Sequence, residues 1–250
     1  MIGPILFSMV MESLEPVSNN TIFIKYADDL TALHFIRTGL QDKPQAEVDS
    51  IESWSSRHNL KINLSKTCSM DIVTKKNLNC DPVFLSNSPL LDVKHVKILG
   101  CLFASDLKWN LFVESIVKRA SQRIYLILCL KRSDCPPDLL FRAYCSYIRP
   151  ILLYAFPVVC NMSQYLKEKL FRVEKRVLRI INHSDFTKVT LFSSGDKICE
   201  NLFSRVVNEP LHPLREFFNP RSVSLRNKCC LKRPRAKTKR FRDSFIKYCP

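Results

Sequence analysis

Glycine is scarce, with four residues in 250. The chain has no GxGxxG turn and no GxxxxGK[ST] loop, which excludes the Gly-rich phosphate cradles of dinucleotide and nucleoside-triphosphate folds. The eleven cysteines are scattered from Cys68 to Cys249 without one CxxC, and the five histidines are as dispersed. A zinc module is therefore not expected. The odd cysteine count points to reduced thiols, hence to an intracellular protein of the nucleus or cytoplasm. Long apolar runs are missing too. Met1 to Val10 has no basic flank and leads into Glu12 and Glu15, and Ile151 to Cys160 is ten residues long and contains Pro157. A bilayer span needs ~20 apolar residues, so the expectation is a chain neither secreted nor transmembrane.

Apolar residues are 46% and charged residues 25% of the chain. That is ordinary globular usage, enough for one large domain or two modest ones. The charge is not ordinary: 39 Lys and Arg oppose 23 Asp and Glu, a net of +16. Residues 1–110 carry 11 basic and 12 acidic side chains, residues 111–220 carry 17 and 10, and residues 221–250 carry 11 and 1. The positive field belongs to the back half and calls for a polyanionic partner, a solvated or localising tail being the alternative.

Periodicity divides the chain in the same way. Thr21 to Tyr26 and Leu30 to Phe35 read as two strands around Ala27-Asp28-Asp29, a β-hairpin with carboxylates at its tip. Pro44 opens a helix on which Val48, Ile51 and Trp54 share a face, up to about His58. Lys61 to Val73 returns to strand-like character after the Asn63-Leu64-Ser65-Lys66 stretch, and Val96 to Leu102 forms another hairpin with Gly100 near its turn. Past Trp109 the period becomes helical: Phe112, Val113, Ile116, Val117, Ala120, Ile124, Ile127 and Leu128, then Leu139 to Tyr147, then Leu166 to Ile180. The third of these helices bears Lys167, Lys169, Arg172, Lys175, Arg176 and Arg179 opposite its apolar face. That stripe either tracks a phosphate backbone or is a solvated face. The fold expected is α+β: a small antiparallel sheet with a crossing helix over 1–108, a helical region over 109–182, and an irregular basic tail over 183–250.

Asp28 and Asp29 are the sharpest chemical feature. Two adjacent carboxylates concentrate negative charge that a cation relieves, and Mg²⁺, which takes oxygen ligands, is the natural one. A bare Asp-Asp in a turn is the alternative. Successive strand residues point oppositely, so Asp28 is the better placed to reach two ions.

Several separate segments resemble the reverse transcriptases of non-LTR (LINE-like, jockey-like) retrotransposons. Tyr26-Ala27-Asp28-Asp29 is similar to the Y/F-x-D-D box, and Gly3-Pro4-Ile5-Leu6-Phe7 to the end of the Q-G-x-x-L-G-P-x-L-F segment. Leu64-Ser65-Lys66-Thr67 resembles the N-x-x-K-T element, and Val96-Lys97-Ile98-Leu99-Gly100 the Y/I-L-G hairpin. Ser146 to Ala155 is similar to the helical segment that follows the polymerase palm, and the resemblance covers about residues 2–182.

The resemblance implies a partial polymerase palm, a thumb-like helical region, and RNA template, DNA primer and deoxynucleotides as partners, with no membrane. It implies Mg²⁺ on Asp28 and Asp29 for two-metal nucleotidyl transfer in the intact family, with weak or absent Mg²⁺ binding expected in this chain. It gives Lys66 the donation of a proton to pyrophosphate, a surface lysine being the alternative. It puts Gly3, Pro4, Phe7 and Tyr26 at the nucleotide and template pocket, although for Phe7 and Tyr26 the alternative is core, where an aromatic in an apolar strand more often lies. Leu99 and Gly100 would grip the primer. Nucleic acid would be held by Lys167, Arg172, Lys175, Arg176 and Arg179, and by the tail residues Lys232, Arg233, Arg235 and Lys237, a string that also suits nuclear localisation.

One departure is large. The family's other metal-binding aspartate precedes the Gly-Pro segment, and here Gly3 already lies inside it. The fingers and endonuclease would also lie upstream. The expectation is a truncated polymerase, incompetent alone, or a non-catalytic nucleic-acid-binding remnant, or a decayed reading frame.

Overall fold

The computed structural model describes residues 2–36, 43–73, 81–182, 191–220, 231–232 and 234–248. They fall into two compact units, residues 1–96 and 97–250, twelve residues earlier than the change in periodicity places the boundary.

In the first unit the apolar N-terminal run is helical. Helix α1 (Gly3–Glu12) has Pro4 in its first turn, where a missing N–H costs nothing. It packs Phe7 and Met11, with Leu14 just beyond, against Trp54. Strands β1 (Thr21–Tyr26) and β2 (Asp29–His34) pair antiparallel from Thr21↔His34 to Tyr26↔Asp29. Their inner face gives Phe23 and Leu30 to the same small core. Ile22, Ile24, Tyr26 and Leu33 on the outer face are exposed.

Helix α2 (Pro44–Arg57) runs as its periodicity requires and buries Glu47 as well as Trp54. The Glu47 carboxylate accepts from the backbone N–H of Val17 (3.0 Å) and Ser18 (2.7 Å) and from the Thr21 hydroxyl (2.8 Å). A buried charge is tolerable only when its lone pairs are so occupied. Short strands follow: β3 (Cys68–Ser69), β4 (Phe84–Leu85), β5 (Ser88–Pro89) and β6 (Leu91–Asp92). The β4–β5 hairpin is moored to α2 by Gln45, which bonds both the N–H and the carbonyl of Phe84 at 2.8 Å, and by Glu52 to Ser86.

Among the described residues the strands do not join into one continuous antiparallel sheet. Each ladder has two strands, and β3 pairs with β6 in parallel. The strand expected after the Asn63-Leu64-Ser65-Lys66 stretch is there but only two residues long, Cys68–Ser69, and the stretch itself is a turn built on Asn63. The coarse class, α+β, is nonetheless what the chain adopts.

Strand β7 (His95–Ile98) and β8 (Cys101–Ala104) make the second hairpin. Helices α3 (Asn110–Arg132), α4 (Pro137–Tyr147), α5 (Arg149–Leu152), α6 (Phe156–Val159) and α7 (Gln164–Ile181) build the main core. It joins Phe112, Ile116, Ala120, Ile124 and Ile127 of α3 to Leu140 and Tyr144 of α4 and to Leu166, Leu170, Val173 and Val177 of α7. The run from Ile151 to Cys160 is spent on two short helices whose Leu152, Phe156 and Val159 are buried. Among the described residues, no helix is long and apolar enough to cross a membrane.

The region expected to be an irregular tail holds a further helix, α8 (Leu191–Asn208), followed by a 3₁₀ turn at Pro213–Phe217. Its buried Leu191, Gly195, Cys199, Phe203 and Val206 recur every three or four residues. Two of the five are Gly and Cys, which muted the apolar signal. Gly195 is required there, because a Cβ would run into the buried Phe156 ring. The two-residue strands β9 (Asn219–Pro220) and β10 (Leu231–Lys232) pair antiparallel, and a short helix α9 (Lys239–Arg242) follows.

Candidate functional site

Because Tyr26 faces Asp29 across the first ladder, only Ala27 and Asp28 connect β1 to β2. Ala27 sits at φ +48°, the left-handed region that costs an L-residue about 1–2 kcal/mol. A two-residue hairpin turn needs positive φ at its first central position, and Gly or Asn is the usual occupant. The tight turn lifts Asp28 out of the ladder and makes Asp29 the first residue of β2. Both carboxylates are exposed, and no hydrogen bond or ion pair engages them among the described residues.

The donor set suits a hard cation, since two carboxylates are what Mg²⁺ commonly takes from a protein. They supply one corner of a site. Among the described residues no three His, Cys, Asp or Glu side chains are grouped to hold a metal.

The other residues singled out in the first unit separate. Phe7 is half-buried in the core with Met11 and Trp54, which makes it a packing residue, whereas Tyr26 is 63% exposed on the outer hairpin face. Gly3 and Pro4 are exposed at the start of α1, with nothing near the place a Cβ would occupy on Gly3. Lys66 is exposed on the turn built by Asn63, whose carbonyl accepts from the N–H of Lys66 (3.1 Å) and Thr67 (3.1 Å). No hydrogen bond or ion pair joins it to Asp28 or Asp29.

In the second unit the β7–β8 turn is Leu99-Gly100, with φ of +48° and +82°, both left-handed as a type I′ turn demands. The Tyr154 hydroxyl donates to the Leu99 carbonyl. Its ring covers Gly100, where a Cβ would lie 3.3 Å from the Tyr154 oxygen. Sequence reasoning passed over Tyr154. The signal available was its place at the end of the segment Ser146 to Ala155.

Helices α3 and α7 lie side by side and run in the same direction. Glu114 pairs with Lys169 at 2.9 Å toward their starts, and Lys131 reaches the Ile180 carbonyl toward their ends. Between them is an open groove of about 430 Å³ lined by Val117, Lys118, Ser121, Arg172, Val173 and Arg176, with the Glu114–Lys169 pair at its side. The Glu114 hydrogen bond and the neighbouring Tyr165, whose ring lies 4.8 Å from the Lys169 ammonium, hold Lys169 protonated above its ordinary range. Lys118, Arg172 and Arg176 have no acidic partner among the described residues. Three cations stand beside Val117 and Val173, an arrangement that can take an anion.

The stripe read from the sequence is thereby divided. Arg172 and Arg176 line the groove, whereas Lys167 and Lys175 do not. At 100° per residue Lys167 is turned about 200° from Lys169. Arg179 is exposed one turn past Arg176 and lies outside the lining. Lys118 and Ser121, supplied by another helix, could not be found from the α7 pattern alone. In the tail, Lys232 lies in β10, Arg235 and Lys237 are exposed ahead of α9, and Arg233 lies outside the described residues.

Comparison with family models, with curated proteins and with solved structures gave no match.

Proposed function

We propose that the chain is the C-terminal palm and thumb portion of an RNA-directed DNA polymerase of the non-LTR retrotransposon class. The observation that carries the reading is the β1–β2 hairpin: a strained two-residue turn that presents Asp28 and Asp29, unpaired, beside an exposed tyrosine. Strain of this kind persists where the surrounding structure holds it, and it clusters at functional sites. A turn of no consequence could take Gly or Asn at position 27 without the left-handed strain.

In this reading Asp28 and Asp29 hold Mg²⁺, which when bound supplies electrostatic stabilisation of phosphoryl oxygens. Tyr26 lies on the same face of the ribbon as Asp29 and offers a flat apolar surface next to the carboxylates. The Leu99-Gly100 turn and the α3–α7 groove contact the nucleic acid, their charge coming from a unit that carries 30 Lys and Arg against 12 Asp and Glu. Asp28 and Asp29 are one corner of a two-ion site, so the 250-residue chain binds nucleic acid without extending a primer.

The groove also favours a second reading, a nucleic-acid-binding protein that performs no catalysis, because it needs nothing from Asp28. Mn²⁺, a paramagnetic substitute for Mg²⁺, separates the two. With an RNA–DNA hybrid bound, Mn²⁺ is expected to broaden the amide resonances of residues 27–30 in the parent and not in Asp28→Asn. Broadening that is absent at the tip, or equal in the variant, overturns the polymerase reading and leaves the binding one.

A further inference from the structure

Helix α1 carries two apolar faces and buries one. Phe7 and Met11 belong to the small core of the first unit. At 100° per residue Ile2, Ile5, Leu6 and Met9 lie on the opposite side, in a band about 100° wide. All four are exposed, Ile2 to 68% and Met9 to 64%, and Val10 extends the edge of the band. Their spacing, i, i+3, i+4 and i+7, is the one by which a helix packs on another element. Helices that are apolar all round are buried ones, so this band is built to be covered.

The charges around the band select what covers it. From Gly3 to Met11 there is no charged residue, and the first to follow are Glu12 and Glu15. A nucleic-acid strand finds no cation there. An anionic bilayer is no better served: interfacial helices set Lys and Arg beside their apolar face, whereas the whole first unit holds 9 Lys and Arg against 11 Asp and Glu. The second unit, with 30 against 12, repels its own copy. What fits the band is an uncharged apolar helix, and a second copy of this chain brings one. Ile5 and Leu6 sit at the centre of the band. A two-fold axis passing there sets the helices antiparallel, the Ile2 end of one copy against the Met9 end of the other, and the band meets itself.

The exposed parts of the five residues come to roughly 500–600 Å² per copy, hence about 1,100 Å² for a pair, close to the ~1,000 Å² lower bound of a specific interface and well short of an obligate one. Such a pair is weak.

We propose that the outer face of α1 is a self-association surface, on which α1 of a second copy packs antiparallel to form a weak, concentration-dependent dimer through the first unit. The inference is independent of what the first hairpin and the groove bind.

Sedimentation velocity of the full chain, freed of nucleic acid and run in about 0.5 M NaCl, tests it. Salt at that level screens the repulsion between basic units and releases a bridging polyanion, while apolar burial persists. The chain should pass from monomer at about 1 μM to dimer at about 200 μM. Leu6→Glu and Met9→Glu put a charge on the seam. Both positions are exposed in the single copy, so each variant should unfold at the parent temperature, and each should raise the dissociation constant at least tenfold. Ile22→Glu, on the exposed outer face of the first hairpin, should leave association unchanged. Amide exchange over residues 5–13 should slow at the higher concentration in the parent and not in Leu6→Glu.

A chain that stays monomeric at about 200 μM overturns the proposal and leaves the face to another polypeptide. A dimer that survives both α1 variants, or that Ile22→Glu disrupts as strongly, overturns it as well. Association seen only at low salt would be nucleic acid bridging two copies, and pelleting with phosphatidylcholine vesicles that Leu6→Glu abolishes would give the face to lipid; either result rejects the dimer.

Discussion

The Tyr144 hydroxyl donates to the Glu174 carboxylate over 2.9 Å, and both side chains are buried. Glu174 also accepts from the Leu191 N–H at 3.2 Å, so one carboxylate ties α7 to α4 and to the first residue of α8. Removing one partner strands the other away from water, which costs about 1–3 kcal/mol. Tyr144→Phe and Glu174→Gln should each lower the denaturant midpoint. The double variant should lose less than the sum, because the two act on one network. Additive losses in chemical denaturation would show that the bond contributes nothing of its own.

Alkaline pH should weaken the second unit. Burial pushes the Cys101 thiol from 9.0 up to about 11, and burial together with the Glu174 charge raises the Tyr144 phenol above its ordinary 10.0. A group whose folded value lies above its unfolded one gives up its proton more readily on unfolding, so stability is full below the unfolded value and is lost as pH rises through the folded one. Unfolding free energy should be level up to about pH 9 and fall between 9 and 11. Cys101→Ala should flatten the first part of that fall, which denaturant titrations at pH 8, 9.5 and 10.5 would show.

Ala27→Gly should leave the first unit as stable or up to about 1 kcal/mol more stable, since the strain at φ +48° outweighs or matches the chain entropy that glycine adds. Ala27→Val should destabilise it by more than 1 kcal/mol, because a β-branched residue tolerates that region worst. Loss of stability on Ala27→Gly, measured by thermal unfolding, would mean that the turn is not strained.

The groove predicts a specific pattern of salt dependence. Each phosphate contact adds about 0.9 to the slope of log K against log salt on duplex DNA. Lys118→Ala, Arg172→Ala and Arg176→Ala should each weaken binding and lower that slope by up to about 0.9. Lys167→Ala and Lys175→Ala, off the groove, should change it less. Equal effects from all five would return the interface to an undifferentiated basic helix.

The contrast between Arg172 and Lys167 shows how far the sequence could be read. Apolar spacing placed α2, α3, α4 and α7 and both hairpin turns, because those patterns are local. Lys118 joining Arg172 across a groove depends on which way two helices lie together, and periodicity within one helix carries no such information. The ladders failed for a related reason: two-residue strands such as Cys68–Ser69 are too short for alternation to register. The α8 helix stayed hidden because Gly195 and Cys199 occupy core positions where apolar residues would have announced it. Nothing in the sequence marks Glu47 and Glu174 as buried, since burial of a carboxylate is decided by backbone donors at Ser18 and Leu191 that only the fold brings near.

The most direct measurement is primer extension on an RNA template by the chain fused behind a polymerase segment that supplies the fingers and the other metal-binding aspartate. Extension that requires Mg²⁺ and is abolished by Asp28→Asn is the predicted result, with no extension by the unfused chain. A folded fusion that binds the primed template yet shows no extension, or extension that survives Asp28→Asn, would contradict the placing of a catalytic carboxylate at the tip of the first hairpin.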